Sequence, residues 1–120
     1  AYMYVGAFSV SEGHSLMKKA IQEHGENLPT AFFAANDSLA VGALRALLES
    51  GIPVPGRVNI IGVNDISISK YVFPSLSTVK VYTELMGETA VNTLVERIEG
   101  RKTAKKITIS TQLIIRDSSF

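Results

Sequence analysis

The sequence predicts an α/β fold built on a parallel sheet, and three observations carry that prediction. Short runs of aromatic, β-branched and small apolar residues alternate with longer stretches in which apolar residues recur every three or four positions. Glycines stand where the helical stretches stop, at Gly25, Gly51 and Gly100. Strands that alternate with helices are joined by right-handed crossovers, which lay successive strands side by side and parallel.

Residues 1–8, "AYMYVGAF", are rich in aromatic and β-favouring side chains and read as a first strand. "SVSE" follows as a capping box, with Ser9 as the cap and Glu12 reaching back. Gly13, Leu16, Met17, Ala20 and Ile21 then keep one stripe, which predicts a helix over residues 11–24. Residues 31–35 are apolar or small throughout, the pattern of a strand covered on both faces. The next helix follows the Asn36-Asp37 pair and buries Ala40, Ala43, Leu44 and Leu47. After the rigid "IPVPG" turn, residues 58–63 form another buried strand, and "NDISISKYVFPS" is a loop with a broken helical turn. Residues 77–82 make a short strand. A third helix spans residues 84–99 with Met86, Ala90, Val91, Leu94, Val95 and Ile98 inward. "RKTAKK" is a solvated basic loop, and "KITISTQLIIR" closes the chain as one long strand or a bent pair.

Composition narrows the function. The 120 residues suit one domain, and 46% are hydrophobic, too many for a disordered chain. No apolar run approaches a membrane span and no leader pattern is present, so no membrane partner is expected. The chain opens on Ala1 rather than Met and reads as a processed or excised piece. Cysteine is absent, which removes disulfides, zinc ribbons and thiolate catalysis and fits a reducing compartment. Twelve basic and eleven acidic residues leave a net charge of +1, with no electrostatic footprint for nucleic acid. His14 and His24 lie ten apart, away from any metal-ligand spacing, and no phosphate-cradling glycine loop or Gly-x-Ser-x-Gly elbow occurs. No catalytic residue, metal or cofactor is expected. Asp37 and Asp65 could form a carboxylate pair for glycoside hydrolysis, but capping accounts for the first.

The Asn-Asp junction occurs twice, in "AFFAANDSLAVG" and in "NIIGVNDIS". If the first three strands are parallel, Phe8, Asn36 and Asn64 all follow carboxyl ends on one sheet edge, where open α/β sheets bind ligands. Two amides and an aromatic ring there suit a polyhydroxylated ligand: amides pair with hydroxyls while the ring covers an apolar sugar face. Either Asp37 or Asn36 can cap the helix, and Asp37 is the favoured reading, which leaves Asn36 to face the crevice, since both cannot cap the same amide. For Asn64-Asp65 a plain turn stays open beside a ligand contact, and for Phe8 a core position stays open beside a ligand platform.

"PTAFFAANDSLAVGALRALLESGIPVPGRVNIIGVNDI", "FPSLSTVKVYTELMGETAVNTLVERIEG" and "QLIIRDSS" together resemble the LacI/GalR family of bacterial sugar-responsive repressors, over essentially the whole chain. "GAFSVSEGHSLM" looks closest to the subgroup that includes the repressor of the ebg operon. The resemblance implies an incomplete periplasmic-binding-protein-like fold. Residues 1–73 would belong to the C-terminal subdomain of an effector-binding domain, 77–99 would form a strand–helix segment of the N-terminal subdomain, and 107–120 would return to the C-terminal one. It further implies a cytoplasmic, non-enzymatic, homodimeric regulator that binds a mono- or disaccharide and reaches operator DNA only through a headpiece absent from this chain.

By the same resemblance, Phe8 matches the aromatic position that packs on sugar, and Asn36 the ligand-contacting Asn of the ND motif. Asn64 matches a position often occupied by Asp, and Val81 a cleft position often occupied by Gln, so a charged acceptor and a polar contact would both be replaced here. Asp37 and Asp65 are assigned as helix caps or structural residues. Val41, Leu44, Arg45, Ile68, Tyr71 and Phe73 match dimer surfaces. The other readings are a transport-type sugar-binding protein with the same fold, which would need a signal peptide in the full gene, and an enzyme on an α/β scaffold.

Overall fold

Ser9 starts the first regular element by accepting the Glu12 N–H through its hydroxyl, and α1 runs over Val10–His24 until Gly25, at φ 51°, turns the chain out of the helix. The computed structural model describes residues 3–120. Strand β1, Ala31–Phe33, leads to α2, Asp37–Glu49; then follow β2, Asn59–Val63, β3, Ser77–Lys80, α3, Thr83–Ile98, and β4, Gln112–Ile114. The sheet order is β1-β2-β3-β4. β1, β2 and β3 are parallel and β4 joins β3 antiparallel, so the expected parallel sheet forms with one reversed edge.

The core lies between α2 and β2. Ala40, Ala43, Ala46 and Leu47 pack with Val58, Ile60 and Leu76, and α1 adds Met17 and Ala20. Small residues let α1 and α2 cross closely: a Cβ on Gly13 would collide with the Leu39 backbone, and one on Gly42 with the Val10 carbonyl. That crossing leaves α2 buried on most of its circumference. The predicted stripe of Ala40, Ala43, Leu44 and Leu47 is inside, as expected.

On its open side the helix pair is pinned by Glu49, which accepts from Arg45 Nε at 2.7 Å and lies 2.8 Å from His14 Nε2. The His14 and Arg45 hydrogen bonds hold its carboxyl well below the usual range, at about 2. A depressed folded value stabilises the fold above the carboxyl's unfolded value, 4.5, and that contribution disappears as pH falls through about 2. Glu49→Gln is therefore expected to flatten the acid side of the stability profile. Urea midpoints at pH 5 and pH 2.5 should converge in the variant relative to the parent, and equal slopes would refute the assignment.

Four expectations are corrected. Among residues 3–8 no strand forms; residues 1–2 lie outside the described part. β1 is not doubly covered: Phe32 packs against the core while Phe33, on the opposite face, is 71% exposed, and β2 is the one hydrogen-bonded neighbour of this edge strand among the described residues. The closing segment pairs only over Gln112–Ile114. The last correction concerns α3, which buries none of its residues: Met86, Val91, Leu94, Val95 and Ile98 are 41–75% exposed, and Ala90 is exposed as well. Its apolar periodicity is real, but no element of the described chain covers that face. The shape follows, with extents of 60 × 25 × 22 Å and a radius of gyration of 17.9 Å, against about 14 Å for a compact chain of this length.

Candidate effector crevice

Parallel pairing aligns the ends of three strands. Ala34 N–H donates to Ile61 O just past β1, and Asn64 N–H donates to Val79 O just past β2, each at 2.9 Å. Asn36, Asn64 and Val81 thereby follow carboxyl ends on the same edge of the sheet. The third strand of the parallel set is β3, not residues 1–8, so Phe8 reaches the region by another route. It directly precedes the Ser9 cap of α1, is 70% exposed, and borders an open, mainly apolar hollow of about 440 Å³ together with Phe33, Ala35 and Leu39. Asn36, Asn64 and Val81 do not line that hollow, so the expected gathering of Phe8 with the two amides around one cavity is not found.

The two residues of the first Asn-Asp pair exchange their expected roles. Asn36 is the helix cap: its Oδ1 accepts the Leu39 N–H at 2.9 Å. The cap uses only the amide oxygen, and the two Nδ2–H donors play no part in it. Asp37, expected to cap, is fully buried and turns inward. Its Oδ1 accepts from Thr78 Oγ1 at 2.6 Å, and its Oδ2 accepts from Ser69 Oγ at 2.8 Å and Ile66 N–H at 2.9 Å. The carboxylate lies so close to β2 that a Cβ on Gly62 would collide with Oδ1.

In the second pair, Asn64 has φ 110° and Asp65 φ 53°, two successive non-glycine residues in left-handed backbone, a region that Asn and Asp tolerate best. Asn64 is exposed. Asp65 caps no helix. Its Oδ1 accepts from Arg116 Nη2 at 2.6 Å, with the two side chains only 10% and 16% exposed, while its N–H donates to Thr78 Oγ1 at 3.3 Å. Both carboxylates of the two Asn-Asp pairs are thus spent on internal partners, and the Asn36 and Asn64 side chains beside them are neutral amides. Val81 is half-buried and its carbonyl accepts the Thr83 N–H at the start of α3.

Sequence reasoning missed the residues that build this edge from behind. Arg116 also donates from Nη1 to Leu76 O at 2.8 Å. Ser118, fully buried, donates to Ile60 O at 2.7 Å and accepts the Ser77 N–H at 2.8 Å, filling the place beside β2 below the start of β3. The signal was the polar cluster "RDSS" after an apolar strand, a composition that reads as a solvated tail unless its partners are known.

On the surface expected to dimerise, Ile68, Tyr71 and Phe73 are 46%, 79% and 87% exposed, Arg45 is exposed and Val41 half-buried. Leu44 is a correction: at 2% exposure it is sealed inside, because α2 has neighbours on both sides. Among the described residues no group of three His, Cys, Asp or Glu could hold a metal ion, and no helix is long and apolar enough to cross a membrane.

Residues 2–119 match the family described as the periplasmic binding protein-like domain. The chain is 45% identical over 121 residues to the HTH-type transcriptional regulator GalR of Lacticaseibacillus casei, covering 100% of this chain and 37% of that regulator. It is 45% identical to the HTH-type transcriptional repressor MelR of Bacillus subtilis (strain 168), covering 98% of this chain and 33% of that repressor. Among solved structures, the lac repressor dimer bound to operator and the anti-inducer ONPF superposes with a TM-score of 0.89 at 30% identity, over 95% of this chain and 39% of that one. The chain thus spans about a third of the length of the curated relatives it matches first.

Proposed function

The chain belongs to the periplasmic-binding-protein-like family of LacI/GalR-type transcriptional regulators, and from that premise we propose that it forms the effector-binding and dimerisation portion of a sugar-responsive repressor. The observation that carries the effector reading is the placement of two amides: Asn36 and Asn64 follow adjacent parallel strands while Asp37 and Asp65 are withdrawn into internal bonds. Such an edge suits hydroxyl groups of a mono- or disaccharide, with Phe8 offering its exposed ring. It offers no free carboxylate pair for glycoside hydrolysis, which supports a binding rather than an enzymatic role.

The exposed apolar stripe of α3 supports reading the segment after β3 as a crossover into a second subdomain, residues 1–73 and 107–120 forming the first; the strand that opens the 77–99 segment stays in the first sheet, because β3 pairs with β2 and β4. A sugar between two such subdomains would shift operator affinity only by its differential affinity for the two orientations. Operator DNA would be read through a headpiece outside these residues, in the cytoplasm. Val41, Arg45 and the Ile68, Tyr71 and Phe73 loop would meet the second protomer.

Asn36→Ala would be a poor test of the ligand role, because it also deletes a cap worth about 1 kcal/mol. Asn36→Ser keeps a capping oxygen and removes only the amide donors. Calorimetry on the full-length protein with glucose, galactose, lactose and sucrose should show one of them binding and a Kd at least tenfold weaker in Asn36→Ser, with thermal stability nearly unchanged. Undiminished sugar affinity in that variant would remove Asn36 from the site.

A further inference from the structure

The Asn64-Asp65 turn is held in a costly conformation, and the groups that hold it converge on one buried carboxylate. Left-handed backbone is disfavoured at a non-glycine residue, and such strain persists only where surrounding structure over-determines it. Here three successive amides are each claimed: Asn64 N–H by Val79 O, Asp65 N–H by Thr78 Oγ1, and Ile66 N–H by Asp37 Oδ2. Thr78 is fully buried and its hydroxyl has two tasks, donating to Asp37 Oδ1 and accepting from Asp65. Ser69, also fully buried, donates to Asp37 from the far end of the same loop. Asn36, the cap that precedes Asp37, is its sequence neighbour, so one carboxylate ties the backbone carrying both candidate ligand amides.

We propose that Asp37 and Thr78 are positioning residues for the effector: their buried hydrogen-bond network holds the Asn64-Asp65 turn in left-handed backbone and thereby fixes the Asn64 amide where a sugar hydroxyl meets it. This rests on the reading of the sheet edge as an effector crevice. Preorganisation of this kind raises affinity because the ordering cost is met in folding rather than on binding.

Two substitutions at Thr78 separate positioning from packing. Thr78→Val keeps the shape and loses the hydroxyl; Thr78→Ser keeps the hydroxyl and loses a methyl. In the full-length protein, the Kd for the tightest-binding sugar of the panel should rise at least tenfold in Thr78→Val and stay within about threefold in Thr78→Ser. Ile60→Val, a core control on the adjacent strand, should leave Kd within twofold. A packing role predicts the reverse order for the two Thr78 variants, and that order, or an unchanged Kd in Thr78→Val, overturns the proposal. A second readout needs no ligand. Amide–Hα scalar couplings of Asn64 and Asp65 report φ, and should move in Thr78→Val but not in Thr78→Ser. Unmoved couplings in Thr78→Val refute the positioning role. Absence of sugar binding in the parent protein, with couplings that move as stated, refutes the effector reading and leaves the turn-holding role standing.

Discussion

Gly62→Ala is expected to cost about 3 kcal/mol of folding stability, a large loss for the addition of a single methyl group. Gly62 sits within β2, buried, and an added Cβ would meet Asp37 Oδ1 while also crowding Ala40. The carboxylate cannot simply retreat, because Thr78, Ser69 and the Ile66 N–H all converge on it. Moving it breaks hydrogen bonds that buried donors cannot replace, each worth on the order of 1 kcal/mol or more when left unmade. A urea midpoint lowered by about 1 M or more, with an unchanged slope, is the expected record. A midpoint equal to that of the parent would mean that Asp37 has room to move.

Arg116→Met is the second. Arg116 and Asp65 are paired at 2.6 Å with little solvent access, and removing one partner leaves the other's charge buried and uncompensated. Such a break costs about 3 kcal/mol, and part of it is the loss of the donor to Leu76 O. The companion Asp65→Asn/Arg116→Met should recover part of the loss, since no lone charge remains. If the double variant is no more stable than Arg116→Met alone, the lone buried charge is not the source of the cost, and the lost donor to Leu76 O accounts for it.

How far the chain could be read in advance differs from element to element. α2 was legible because its stripe, its Asn-Asp start and its stop before Gly51 all agree, and local agreement of this kind marks a consistent fold. The parallel pairing of β1 with β2 followed from the helix between them, whereas β3 joins β2 in parallel across a loop with only a 3₁₀ turn, and it takes the place expected of residues 1–8. Residues 3–8 were misread because aromatic and β-branched content gives a propensity but no pairing partner: the segment borders the hollow unpaired, with Met3, Val5 and Phe8 exposed. α3 was misread for a related reason: periodicity identifies an apolar face but not what covers it.

At the candidate site, the positions of Asn36 and Asn64 were readable from strand ends, whereas the exchange of roles between Asn36 and Asp37 was not. Either side chain can cap a helix, and the choice is made by partners distant in sequence: Thr78 and Ser69 supply donors that suit a carboxylate better than an amide. Arg116 lies 51 residues from Asp65, beyond any local pattern.

In a crystal structure of the full-length protein with its tightest-binding sugar, the sugar is expected against the carboxyl ends of β1 and β2, with the Asn36 and Asn64 amides on its hydroxyls, Phe8 against a ring face, and Asp37 still bound to Thr78 and Ser69. A sugar seated away from that edge, or one that draws Asp37 out of its buried network to bind it, would rule out this edge as the effector site.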